Sequence, residues 1–365
     1  MVILIRDNEC IEPRIKTYEN FLLKENIPFI TLGWDRKGIC SDDEYHIFFK
    51  KRAAYGKKIF NIIPKIEWML FVYKQLKKRK GNIEVIHACD VDAVIPSFRF
   101  AKKNKIKIIF DVFDWITSEL DNNFVFRYIE KLENKYYEEC DYAIICEEER
   151  NKQAKTKAKN LLVMPNIPYK DYTPNNDVIA EISSRKQNYR VTLGYVGVFD
   201  YNRGIEDLLE VVGSRNDVLL EIAGYGGLND LVENAAQKHS NIHFWGSVEY
   251  DKGQTILSQT DVVVALYYLT NPVHRFAAPN KYYEALKLNK PLLTTKDTLV
   301  GDKVVKYSTG YAIAEGVDPI SDVLNSVDDR AELEALVENS KNIWEEHYKN
   351  YIDNFLENDY KKICV

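Results

Sequence analysis

The sequence predicts an α/β chain made of two Rossmann-like βα domains in tandem, and three observations carry that prediction. Short β-branched runs alternate with longer amphipathic segments along the 365 residues, the pattern of a parallel sheet with crossover helices. Several runs are apolar on both faces, Val-Val-Val-Ala-Leu at 262–266 among them, as strands are when helices cover both sides of a sheet. The rhythm breaks once, at a stretch rich in Pro, Asn and Tyr (Pro165–Asn176), and then restarts. Such a stretch continues neither a helix nor a strand. Length agrees, since 365 residues exceed one comfortable domain and fall short of three.

In the first half the strands are expected at Val2–Arg6, Pro28–Gly33, Val85–Cys89, Ile106–Val112, Tyr142–Cys146 and Leu161–Pro165. Helices are expected between them at Ile15–Asn26, Val94–Lys103 and Phe124–Glu139. In the second half strands are expected at Thr192–Val198, Leu219–Ala223, Ile242–Trp245, Val262–Leu266, Pro291–Thr295 and Tyr311–Ala314. Their helices fall at Gly204–Gly213, Leu228–His239, Tyr250–Gln259 and Lys281–Leu288. The tail, Arg330–Ile363, reads as nearly continuous helix, with Trp344, Tyr348, Tyr351, Phe355 and Leu356 marking one apolar face.

Composition narrows the class. At 45% hydrophobic and 29% charged residues, both domains can bury real cores, which excludes wholesale disorder and a collagenous chain. Six scattered cysteines with no C-x-x-C pair read as reduced, structural thiols of a cytoplasmic protein. The start reads as a buried strand rather than a signal peptide, and no run approaches the length of a membrane span. The net charge of −5 hides a split: residues 1–190 hold 34 basic and 28 acidic side chains, and residues 191–365 hold 16 and 27. Two surfaces with different partners are expected.

Three segments of the second half carry chemistry. In Gly194-Tyr-Val-Gly197-Val-Phe-Asp-Tyr-Asn-Arg203-Gly204 a strand runs through a glycine-marked turn into a helix. Helix N-termini at the carboxyl ends of parallel strands offer unpaired N–H groups to anions. Arg203 is a cation at such a terminus, a poor place electrostatically unless it faces an anion or solvent. In Ala223-Gly224-Tyr225-Gly226 the glycines permit a close approach of backbone to ligand, although no GxGxxG nicotinamide fingerprint opens either domain. The third segment, Tyr267 to Pro291, is an irregular loop with two prolines followed by a helix bearing Lys281 and Glu284. A carboxylate there can accept both hydroxyls of a ribose and a lysine can meet phosphate. The plain alternative, an i,i+3 surface pair, explains the two side chains but not the elaborate loop.

These segments, with Asn-Ile-His-Phe-Trp-Gly-Ser-Val (241–248) and Pro-Asn-Lys-Tyr-Tyr-Glu-Ala-Leu-Lys-Leu-Asn-Lys-Pro (279–291), resemble the donor domain of retaining glycosyltransferases of family 4, which have the two-domain GT-B fold. Glu-Val-Ile-His-Ala-Cys-Asp (84–90) and Ile-Ile-Phe-Asp-Val-Phe-Asp-Trp (108–115) are similar to that family's acceptor-domain segments. The match is nearest the subset that reads P-x-K-x-x-E. The resemblance implies an acceptor domain over 1–168, a linker over 169–190 and a donor domain over 191–340 across a cleft. A C-terminal helix over 341–365 then packs back toward the first domain.

The resemblance also implies roles. Arg203 and Lys281 would hold the donor diphosphate, and Glu284 the ribose. Gly197 would lie in a loop beside the diphosphate and Gly224 beside the nucleotide. Trp245 and Val248 bound the turn that flanks the base, and Phe276, Ala277, Ala278 and Asn280 would wrap the sugar and phosphates. From their place at the end of Val85–Cys89, His87 would steer the acceptor hydroxyl with Asp90 beside it and Asp114 opposite, or else His87 is a satisfied histidine at a strand end. Three departures stand out: Phe276 where the first glutamate of E-x7-E is expected, Val198 after Gly197 in place of an arginine, and Phe113 in place of a histidine. The reaction implied is retaining hexosyl transfer from a nucleoside-diphosphate sugar, UDP ahead of GDP. The acceptor implied is a glycan or lipid-linked saccharide in polysaccharide or glycoconjugate synthesis. No cofactor and no metal are expected, because Asp111 and Asp114 lack a third ligand. The rivals are a nucleotide-sugar epimerase of similar fold and a non-catalytic nucleotide-binding subunit.

Residues 46–80 stand apart, with eleven basic side chains against one acid, Glu67, and seven aromatics interleaved. That combination suits an anionic membrane surface. Peripheral attachment at the inner face of the cell membrane is expected, bringing the acceptor domain to a lipid-diphosphate-linked sugar. A solvated helix with its aromatics in the core is the alternative, and no nucleic-acid-binding fold supports a third.

Overall fold

In the computed structural model the described residues are 1–9, 12–53, 62–115, 124–168, 171–327 and 330–365. They form two compact units: Met1–Pro165 together with Tyr351–Val365, and Asn166–Asn350.

The first unit holds a parallel sheet ordered β3-β2-β1-β4-β5-β6-β7. Its strands are β1 (Val2–Ile5), β2 (Phe29–Asp35), β3 (His46–Lys50), β4 (Val85–Cys89), β5 (Lys107–Val112), β6 (Tyr142–Ile145) and β7 (Leu161–Val163). The helices are α1 (Pro13–Lys24), α2 (Ile62–Lys78), α3 (Val91–Asn104) and α4 (Phe124–Glu139). All four residues of β1 are buried, as a central strand covered on both faces requires. The strand order reverses after β3, where the chain returns to place β4 beside β1. Right-handed crossovers then send α1 to one face and α2, α3 and α4 to the other. The edge strand β3 escapes the sequence reading because its His-Ile-Phe-Phe-Lys run is short and half-buried.

A buried polar network joins β4, β5, α1 and the tail. Arg14 donates to both Asp111 oxygens at 2.8 and 3.1 Å, and the Tyr18 hydroxyl donates to the same carboxylate at 2.9 Å. His87 Nε2 stands 3.3 Å from Asp111, and His87 Nδ1 lies 2.9 Å from the Tyr360 hydroxyl. His87, Asp111, Tyr18 and Tyr360 are fully buried. Burial alone would raise the Asp111 carboxyl; Arg14 and then His87 outweigh it and hold it below the ordinary carboxylate range. His87 is therefore an interior residue with both ring nitrogens engaged. It fits the satisfied histidine of the sequence alternative and not the cleft-facing residue expected to steer an acceptor hydroxyl.

The second unit holds a parallel sheet ordered β10-β9-β8-β11-β12-β13. Its strands are β8 (Val191–Phe199), β9 (Val218–Gly226), β10 (Ile242–Phe244), β11 (Val262–Ala265), β12 (Leu292–Thr295) and β13 (Gly310–Ile313). Among its helices are α5 (Asn176–Lys186), α6 (Ile205–Gly213), α7 (Asn229–Lys238), α8 (Tyr250–Gln259) and α9 (Asn280–Lys287). Then come α10 (Leu299–Tyr307), α11 (Val317–Ser326) and α12 (Arg330–Ile343). The stretch read as a linker contains α5, capped by the Asn175 side chain and seated through Val178 and Ile182 on Ala223 and Ile256.

The tail's apolar face is shared. Trp344 and Tyr348 join the second unit's cluster with Tyr282, Tyr283 and Val304. Tyr360 lies against Tyr18 and Phe21 of α1 in the first unit. Instead of one unbroken helix, π-helical turns at Trp344–Tyr348 and Leu356–Tyr360 interrupt it.

Replacing Asp111 with Asn should remove the buried carboxylate that Arg14, Tyr18 and His87 share and cost about 3–5 kcal/mol in urea unfolding at neutral pH. A carboxyl whose pKa is depressed by folding contributes stability that is complete above its unfolded value and lost as pH falls through the folded one. The substitution should therefore also remove part of the wild-type acid limb.

Candidate active site

In an open parallel sheet, ligands bind beyond the carboxyl ends of the strands where the strand order reverses. In the second unit that point lies between β8 and β11. Two of the segments singled out in the sequence meet there. After β8 a 3₁₀ turn, Tyr201–Arg203, leads through Gly204 into α6. After β11 the chain passes Tyr267 and enters the irregular loop. The Tyr268 N–H donates to Asn202 O at 3.0 Å and the Thr270 hydroxyl to the Asn202 side chain at 2.9 Å. This lacing sets the Arg203 guanidinium 4.5 Å from the Tyr267 ring centroid. Among the described residues no carboxylate forms an ion pair with Arg203. Burial raises the Tyr267 hydroxyl to about 12, so the ring under the guanidinium stays neutral. A partly buried cation, stacked on an aromatic ring, stands at the reversal point beside a helix N-terminus.

Gly204 makes the turn possible. Its φ is +61°, and a Cβ there would come within 2.8 Å of Leu266 and Tyr268.

The glycines at 197 and 224 do not lie in loops, as expected, but in paired strands. β8 and β9 run in register from Val191↔Val218 to Phe199↔Gly226, with Gly197 opposite Gly224. Gly224 adopts φ +150°, and a Cβ on it would stand 1.8 Å from Gly197 O. Gly197 itself would meet only the Tyr195 ring at 3.7 Å. The Gly224 N–H donates to Gly246 O at 2.9 Å, which ties the Trp245–Val248 turn to the same strand end. Trp245 is held from behind: its indole N–H donates to the buried Glu221 at 2.6 Å, and Arg185 donates to both Glu221 oxygens. Val248 packs beside it on Ile256.

Pro279 caps α9, whose first turn carries Lys281. Lys281 donates to Glu284 at 2.5 Å, with Glu284 buried and Lys281 about one-fifth exposed. The sequence alternative of an i,i+3 pair is thus real, but it is sunk in the domain and not on its surface. Phe276 ends a 3₁₀ turn, Pro272–Phe276, and is half-buried with Ala277 and Ala278. The Asn166 side chain holds Ala278 O at 2.8 Å, and Asn280 is exposed.

The first unit has its own reversal point, between β1 and β4. Asp90, just past β4, sits at φ +64°, ψ 173°, a region almost reserved for glycine and costing about 1–3 kcal/mol. It is held there by Arg6, which ion-pairs with one oxygen. The N–H groups of Phe113 and Asp114 donate to the other at 2.9 and 3.3 Å. Burial pushes the Asp90 carboxyl up to about 7, against the pull of Arg6. Phe113 fills the place expected for histidine, with Arg6 4.3 Å and Arg14 5.0 Å from its ring. The Asp114 side chain is 80% exposed, 3.4 Å from Arg150.

Sequence reasoning missed Tyr267 and Arg6. Each becomes a site residue only once the strand order is known, and a tyrosine or arginine after an apolar run carries no signal of that.

The family described as Glycosyl transferases group 1 matches residues 179–343. No curated protein matches the chain. Sucrose-phosphate synthase from Thermosynechococcus elongatus is similar at TM-score 0.74 and 13% identity, over 99% of this chain and 98% of that one. Anabaena HepE in complex with UDP-glucose is similar at TM-score 0.71 and 13% identity, over 99% and 100%. WaaG, a glycosyltransferase involved in lipopolysaccharide biosynthesis, follows at TM-score 0.65 and 13% identity, over 97% and 99%. At such identities the likeness is one of fold, and that fold is GT-B.

Gly224→Ala should cost about 1–3 kcal/mol or more in thermal unfolding, because φ and the facing carbonyl both oppose a side chain. Gly197→Ala should be nearly neutral, reversing the ranking expected if both glycines served only a ligand. Residues 179–343 match the family described as Glycosyl transferases group 1, and the chain that holds them has the GT-B fold.

Proposed function

We propose that this chain is a glycosyltransferase, a retaining enzyme of the family 4 kind with the P-x-K-x-x-E motif. It takes a hexosyl group from a nucleoside-diphosphate sugar, UDP ahead of GDP. The acceptor is a glycan or lipid-diphosphate-linked saccharide in surface polysaccharide or glycoconjugate synthesis. The observation that carries the reading is Arg203, stacked on Tyr267 and without a carboxylate partner among the described residues. A partly buried cation beside a helix N-terminus is a diphosphate site in waiting. The HepE structures, which hold UDP and UDP-glucose, support a uridine donor.

Transfer breaks the bond between the anomeric carbon and the diphosphate oxygen, and the electron pair leaves with the diphosphate. Arg203, Lys281 and the N–H groups of α6 and α9 stabilise that growing charge from fixed positions, so little reorganisation opposes the step. Lys281 and Glu284 neutralise one another; a nucleotide offers phosphate to the first and ribose hydroxyls to the second. The acceptor oxygen bonds to the anomeric carbon on the face the diphosphate leaves, and its proton passes to the leaving phosphate oxygen. That route needs neither His87 as a base nor a metal ion. On the acceptor side, Asp90 and Asp114 offer carboxylates at the carboxyl edge of the first sheet. Phe276 in place of a glutamate removes a polar contact to the transferred sugar and favours a donor with an apolar or less hydroxylated edge there. We further place the enzyme on the cytoplasmic face of a membrane, through the basic segment 46–80.

Arg203→Ala should lower kcat/KM by about 100- to 1000-fold, the usual effect of deleting one fixed donor to a developing charge. UDP should raise the melting temperature of the wild type more than GDP does, and Arg203→Ala should abolish the rise. Turnover unchanged in Arg203→Ala would overturn the donor-site assignment. Activity that disappears with EDTA and returns with magnesium would overturn the metal-independent route.

A further inference from the structure

The basic aromatic segment does not present its aromatics as expected. Trp68 is fully buried, stacked near Trp34, with Phe49 and Phe71 against it. Lys57, Lys58, Tyr55 and Phe60 lie outside the described residues. The core alternative therefore holds for the three aromatics that pack here, and a membrane face has to be found elsewhere in the segment.

Helix α2 has one. It is apolar on two opposite sides. Trp68, Val72 and Leu76, each 0% exposed, recur every four residues and face the core. On the opposite side by the 3.6-residue period, Ile63, Ile66, Leu70 and Tyr73 are 68, 51, 54 and 45% exposed. One large exposed apolar residue is ordinary; four on one stripe of one helix mark an interaction surface. The same face continues into Lys74, Lys77 and Lys78, all exposed. Among the described residues these three lysines make no ion pair, and the helix's single acid, Glu67, is taken by Lys51.

We propose that this outer face of α2 docks on an anionic lipid bilayer, its aliphatic stripe entering the headgroup–acyl boundary and its lysines meeting lipid phosphate. This rests on the reading of a lipid-linked acceptor and names the surface that brings the first unit to it. A second copy of the chain fits less well, because the face offers no free acid to meet the partner's lysines. A bilayer supplies both an apolar layer and negative charge. Orientation agrees. Crossover helices run antiparallel to their strands, so the apolar N-terminal half of α2 lies at the carboxyl edge of the sheet. The ion pair from Lys65 to Asp92, two residues after Asp90, places it there. The stripe thus borders the end of the unit where an acceptor would bind.

Flotation with phosphatidylglycerol-containing vesicles tests this. At low salt the full chain should bind them about tenfold or more better than pure phosphatidylcholine vesicles. Ile66→Asp/Leu70→Asp should abolish binding, and Lys74→Gln/Lys77→Gln/Lys78→Gln should leave only the weak, salt-insensitive part. UDP-induced thermal stabilisation should be unchanged in both variants. Wild-type binding to neither vesicle, or binding equal in the wild type and both variants, overturns the docking face while UDP stabilisation leaves the glycosyltransferase reading intact. Loss of UDP stabilisation in the wild type with vesicle binding preserved does the reverse. A concentration-dependent dimer that the aspartate pair dissolves, without vesicle binding, assigns the face to a second copy and also overturns it.

Discussion

The reversal of strand order in each parallel sheet is the constraint on which the rest depends. Right-handed crossovers oblige the helices before and after the reversal to pack on opposite faces of the sheet. The two strands at that point therefore end in diverging connections with open space between them. In the second unit the space is bounded by the turn after β8 and the loop after β11, and Asn202 stitches the two together. Arg203 stands there because its turn has nowhere else to lead. In the first unit the same geometry leaves Asp90 between β1 and β4, bent into a strained backbone that Arg6 and two N–H groups hold.

Two kinds of buried polarity serve different ends. The Asp111 network is closed: Arg14, Tyr18 and His87 satisfy the carboxylate, and Tyr360 satisfies His87. Its attraction outweighs the cost of burial, since the carboxyl stays below its ordinary range. Such a network stabilises one arrangement of tail and sheet and leaves no group free to react. At the second reversal point, by contrast, the cation has the Tyr267 side chain beside it and, among the described residues, no carboxylate in an ion pair. A stacking contact of that kind is worth about 0.5–2 kcal/mol, too little to satisfy a guanidinium as a carboxylate would. Closed charge is architecture; open charge invites an anion.

The glycines show how a motif can mislead while pointing to the right place. Gly224 is required because β8 and β9 remain paired to their last residues, and a side chain there would strike the facing carbonyl. Its value to a ligand is indirect: it lets the strand end stay flat and carries the Trp245–Val248 turn by a backbone hydrogen bond. α2 teaches a related lesson. Counting basic and aromatic residues along 46–80 identified an unusual segment, but the helical period decided which of them reach the surface. The exposed face is mainly aliphatic, with Tyr73 beside Ile63, Ile66 and Leu70, where aromatics were expected.

From sequence alone the two βα domains, most strands and the segments that meet at the second unit's reversal point were legible. Hydrophobic periodicity and turn chemistry are local, and a parallel sheet buried on both faces writes them plainly, as in Val262–Ala265 and Val85–Cys89. The roles of individual side chains were not legible at the same level. His87 closes a strand that carries an acceptor-like motif, yet its ring turns into the core, because a strand's alternate faces look identical until the covering elements are known. Arg203, Lys281 and Glu284 were named correctly as charged residues near helix starts. The i,i+3 pairing of the last two was readable as an alternative; only the tertiary structure buried that pair and set Arg203 against Tyr267, a contact between segments far apart in sequence. Sequence determines which residues lie at strand ends; the order of the strands, set by chain crossovers and packing, decides which of those ends meet.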